Sequence, residues 1–95
     1  MRMMLRWTVP VDKGNDMVED GTMGEVVETL MEKLHPEAAY FMAESGERAG
    51  MIVFDMKDSS EIPGIAEILF QQADANVEFI PVMNADDLKA ALGSL

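Results

Sequence analysis

The chain has 95 residues, enough for one hydrophobic core and not for a second domain, so residues 1–95 are read as a single domain. Seven Lys and Arg against 18 Asp and Glu leave a net charge of −11 at pH 7; this argues against nucleic acid and against an anionic membrane surface as partners, since both are held by Lys and Arg. Cys is absent, which removes disulfides, thiolate metal sites and a Cys nucleophile, while 48% hydrophobic residues is the composition of a folded domain.

Residues 3–9 alternate, with Met3, Leu5, Trp7 and Val9 on one side and Met4, Arg6 and Thr8 on the other. That is the period of a strand with one dry face. Pro10 closes it, having no N–H for a ladder. Residues 12–19 are predicted as a short helical turn, broken by Asp20-Gly21. Thr22 and Glu25 have the spacing of a capping box. Met23, Val26, Val27, Leu30, Met31 and Leu34 then form an amphipathic helical stripe, ended by His35-Pro36.

Residues 38–44 and 49–56 read as a hairpin joined by four residues, Ser45-Gly46-Glu47-Arg48. This register pairs Glu44 with Ala49, Tyr40 with Val53, Phe41 with Ile52 and Met42 with Met51, and sets Asp55 against Ala38. Asp58-Ser59-Ser60-Glu61 opens a second helix with a further capping box, Pro63 suits its first turn, and Ile62, Ile65, Ala66, Leu69 and Ala73 form its stripe. Residues 76–83 alternate again, with Pro81 fitting only an edge strand. Asn84 caps a last helix over 85–92, stopped by Gly93.

The order β-α-β-β-α-β with right-handed crossovers predicts an α+β, ferredoxin-like antiparallel sheet in spatial order 4-1-3-2. Both main helices then cover one face, carrying Leu5, Trp7, Phe41, Ile52, Phe54, Val77 and Phe79, and a short helix ends the chain. On the other face Met4, Met42, Met51, Val53 and Ile80 make an apolar patch, which predicts a homodimer whose open faces meet around a cleft. The polar members of that face are Arg6, Tyr40, Asp55 and Glu78, the candidate ligand-binding residues. Arg6 is expected beside Glu78, with Asp55 also in reach. Two roles fit it: an ion pair within or between subunits, or a hold on an anionic ligand while Tyr40 and a carboxylate do acid–base work.

Other residues carry less. His35, the single His, suits a helix C-terminus rather than a proton shuttle. Asp55, Asp58 and Glu61 recur at spacing three, but acidic residues belong at a helix entry, and no metal is expected. The ten Met suit cores and adaptable interfaces better than Cu(I). Gly14, Gly21 and Gly24 fit no phosphate-loop spacing and read as loop glycines. Met51 and Val53 stand where an RNA-binding sheet needs aromatics. The N-terminus lacks a signal-peptide core and no apolar run reaches roughly 18 residues, so a cytoplasmic location is expected.

The runs Gly14-Asn15, Asp20-Gly21-Thr22, Pro36-Glu37-Ala38-Ala39-Tyr40-Phe41, Ile62-Pro63-Gly64-Ile65 and Val77-Glu78-Phe79-Ile80-Pro81-Val82-Met83 resemble a family of small bacterial proteins of uncharacterised function. The architecture also resembles the wider dimeric α/β-barrel superfamily, with its cofactor-independent monooxygenases, muconolactone isomerase-like enzymes and stress-response proteins. The resemblance implies a homodimer and a pocket, and its catalytic residues do not map onto this chain. The expected function is therefore a dimeric module that binds a small molecule or a partner in or near the inter-sheet cleft, without a cofactor. The alternative is a small cofactor-independent oxygenase or isomerase acting on an apolar or aromatic substrate.

Overall fold

Strict alternation builds the first strand. In the computed structural model, which describes residues 1–95, β1 (Arg2–Val9) buries Met3, Leu5, Trp7 and Val9 and leaves Arg2, Met4, Arg6 and Thr8 half-buried. Two helices follow without a strand between them, α1 (Val11–Asp20) and α2 (Thr22–Leu34). The hairpin strands are β2 (Ala38–Glu44) and β3 (Glu47–Asp55). A 3₁₀ turn (Ser59–Glu61) leads into α3 (Ile62–Ala73), then β4 (Asn76–Pro81) and α4 (Ala85–Gly93). All neighbouring strands are antiparallel in the order β2-β3-β1-β4, the expected order read from the other edge. This α+β topology is compatible with a ferredoxin-like domain. No helix is long and apolar enough to cross a membrane.

Several local expectations are corrected. The first helical segment is a ten-residue helix rather than a short turn. Gly14 and Gly24 lie inside helices, not loops; Gly21, at φ 84°, is the left-handed residue that lets α1 stop and α2 start at once. The Thr22/Glu25 box does not form, because Thr22 is already helical. Asp20 takes the role: its Oδ1 accepts from the Thr22 backbone N–H at 2.9 Å and from the Thr22 hydroxyl at 2.6 Å. The other two boxes form, Asp58 with Glu61 and Asn84 with Asp87.

The hairpin loop has two residues, Ser45 (φ 50°) and Gly46 (φ 81°), the signature of a type I′ turn. Glu44 therefore faces Glu47, and Tyr40, Phe41 and Met42 face Met51, Gly50 and Ala49. The expected register is off by two residues on β3. Side chains alternate with period two, so this slip leaves every residue on its predicted face.

One buried cluster joins the dry side of β1 to Ile52 and Phe54 of β3, Met17 of α1, Val26, Leu30 and Leu34 of α2, and Ile65 and Leu69 of α3. Three methionines, Met3, Met17 and Met56, belong to it, the gap-filling use of a flexible thioether. By contrast, α4 buries nothing. The radius of gyration is 14.8 Å, against about 12 Å for a compact chain of this length, and the molecule is elongated, 51 × 27 × 17 Å.

Candidate functional site

The four residues picked from the sequence share one face without converging. Strand register sets Tyr40, Met51, Arg6 and Glu78 in one row across the sheet. Met51 separates Tyr40 from Arg6. Arg6 and Glu78 are opposed as expected, but the Arg6 guanidinium donates to Glu44 near the hairpin turn. That hydrogen bond and the charge of Glu44 raise the Arg6 pKa above its ordinary value, with a smaller contribution from Glu78. Tyr40 is 64% exposed.

Asp55 stands apart, opposite Arg2 rather than Arg6. Four residues of strand separate those positions, about 13 Å. Its carboxylate accepts from the Lys57 ammonium and, at 2.7 Å, from the amino group of Met1. The Lys57 hydrogen bond, then that of the amino group, hold its pKa down at about 2. Because the folded-state value is depressed, this contribution to stability is complete above the ordinary value of 3.8 and is lost as pH falls through about 2. Carboxyl NMR of Asp55 should show a midpoint near 2, and Lys57→Met should move it up toward 3.8. An unchanged midpoint in Lys57→Met would detach Lys57 from Asp55.

None of these four residues lines the apolar cleft that the fold does build. The cleft opens on the helix side, between the first turns of α2 and the end of the sheet near the β2–β3 turn. Its volume is about 460 Å³, within the range of small-molecule sites. Trp7 of β1 and Phe41 of β2 form the sheet wall. Their rings meet edge to face, with centroids 6.2 Å apart and planes at 67°. Met23 and Val27, one helical turn apart, face them from α2, and Gly24 beside them adds no side chain. Met42 and Ala49 border the strand end.

Two features keep the cleft open. Phe41 shares a row and a face with Gly50 and Trp7, yet on the edge strand it is 53% exposed. Trp7 is seated against Gly50 of β3, its register partner. A Cβ on Gly50 would fall 2.4 Å from Trp7 Cζ2, so only glycine admits the indole there.

The charged members of the lining are Arg48 and Glu28. Arg48 lies over α1, where its Nη1 donates to Asn15 Oδ1 at 3.1 Å. A Cβ on Gly14 would come within 2.7 Å of the same nitrogen. Arg48 is exposed, so its tip could shift to admit a side chain there. Sequence reasoning assigned Arg48 to a loop and missed it. The chain matches no protein-family model, and no curated protein sequence matches it.

Proposed function

We propose that this chain is a small-molecule binding module that takes an apolar ligand into the Trp7 cleft. The observation that carries this reading is the cleft itself: about 460 Å³ walled by Trp7, Phe41, Met23 and Val27 with few polar groups. Such lining gains free energy by shedding water onto an apolar guest, roughly 25 cal/mol per Å² of buried apolar surface. This reading places the ligand on the helix side; on the open sheet face Arg6 is engaged by Glu44 and Asp55 by Lys57.

Octanol supplies the test. Trp7 is the only tryptophan in the chain, so its fluorescence reports the cleft directly. Octanol should change it saturably, and Val27→Phe, which places a ring in the cleft from the half-buried α2 wall, should abolish the response with the melting midpoint retained. Saturable binding that survives Val27→Phe would place the ligand elsewhere.

The working form is a homodimer through the open sheet face. Tyr40 and Met42 are exposed there, and Met4, Met51, Val53 and Ile80 are half-buried. A large exposed apolar patch marks an interaction site. Met51→Glu would bury a charge in such an interface and cost several kcal/mol, on the order of the desolvation of an unpaired carboxylate. Light scattering should show a dimer for the native chain and a monomer for Met51→Glu; equal masses would exclude this face.

A further inference from the structure

We infer that the Trp7 cleft selects amphiphilic monoanions, an aliphatic or aryl carboxylate whose tail lies on Trp7 and Phe41 and whose head group meets Arg48. This rests on the cleft being a ligand site and adds the chemical class of its occupant.

The first support is the state of the Arg48 charge. Arg2, Arg6 and Lys57 each hold a carboxylate within ion-pair distance. Arg48, like Lys13, Lys33 and Lys89, holds none, and it is the one of these four that lines the cleft. Its one side-chain partner is the neutral amide of Asn15. An amide oxygen orients the guanidinium and leaves the charge uncompensated. Glu28 lines the same cleft but lies outside ion-pair distance of Arg48, and its side chain makes no hydrogen bond.

The second support is free donor capacity. The exposed Arg48 side chain runs along the bare backbone of Gly14 to Asn15. One of its five N–H donors is used by Asn15, so a fork remains free for a carboxylate. Charge-assisted pairs of this geometry are about twice as strong as neutral hydrogen bonds.

The third support is the match of charge to lining. Around Arg48 the walls are aromatic and aliphatic, so a ligand needs an apolar body as well as an anionic end. A cation would be repelled by Arg48. A dianion would meet Glu28 as well, which favours a single negative charge.

Matched probes with one tail and three head groups separate the possibilities. Octanoate, octanol and octylammonium are titrated against Trp7 fluorescence at pH 7 and constant salt. Octanoate should bind about tenfold tighter than octanol, and octylammonium weakest. Arg48→Gln should bring octanoate to the level of octanol measured on the same variant. Arg48→Lys should keep part of the preference, since it retains the charge and loses the fork. Glu28→Gln should tighten octanoate, the opposite sign. Circular dichroism checks that each variant is folded. Equal binding of octanoate and octanol, or an octanoate affinity indifferent to Arg48→Gln, overturns the anion selectivity and leaves the apolar cleft standing. Failure of all three probes to bind the native chain overturns the cleft reading itself.

Discussion

Gly50→Ala is expected to destabilise the domain by about 1–3 kcal/mol, the cost of overpacking a filled site. Replacing a strand glycine by alanine ordinarily stabilises, by roughly 0.4–1 kcal/mol through the unfolded state, so the expected sign is reversed. The reason is Trp7. A Cβ at position 50 would lie 2.4, 2.6 and 2.9 Å from Cζ2, Cη2 and Cε2 of the indole. These atoms belong to a rigid ring in a buried residue, not to a flexible tip. Nor can the backbone retreat, because β3 is hydrogen-bonded between β1 and β2. Urea unfolding should show the loss as a lower midpoint. Trp7→Phe removes the offending part of the ring, so Gly50→Ala should cost much less in that background, a strongly non-additive pair. Equal costs in both backgrounds would contradict the Trp7–Gly50 seat.

Leu5→Ala should cost about 2–5 kcal/mol, the transfer free energy of the lost atoms plus the cavity left behind. Leu5 is fully buried and sits in mid-strand between Ile52 and Phe79. Small domains have only about 5–15 kcal/mol in total, so this one change consumes a large share. Its neighbour Met4 points to the other face and is half-buried. Met4→Ala should therefore cost far less than Leu5→Ala in the same unfolding experiment. Comparable losses at both positions would contradict the one-sided core of β1.

The strands were legible because period-two alternation in 3–9 and 76–83 has no helical alternative. The sheet order followed from connectivity rules alone. The hairpin register was not legible. Ser45-Gly46 is a weaker type I′ signal than Asn-Gly or Asp-Gly, and the polar Glu47-Arg48 that follows looks like loop. The slip was harmless for the faces and decisive for the site, because it hid Arg48 in a turn when it belongs to β3. The length of α1 was hidden in the same way. Gly14 lowers helix propensity, and only Gly14 and Met17 of that helix are buried, which gives no stripe to read. At the α1–α2 junction the Thr22/Glu25 pattern was present but displaced, since one left-handed residue, Gly21, leaves the capping to Asp20. Of the chosen site residues, Arg6 and Glu78 are opposed as expected, whereas Tyr40 lies on its expected face but pairs with Met51 instead of Val53. Sequence does not show how far a long side chain reaches, and Arg6 extends to Glu44.

Backbone amide and indole NMR during an octanol titration locates the ligand most directly. The expected result is a set of saturable shifts confined to the Trp7 indole and to Met23, Gly24, Val27, Phe41, Arg48 and Ala49, with Met4, Tyr40, Met51 and Ile80 unmoved. Shifts concentrated on those open-face residues, with the Trp7 indole unmoved, would contradict a binding site in the cleft.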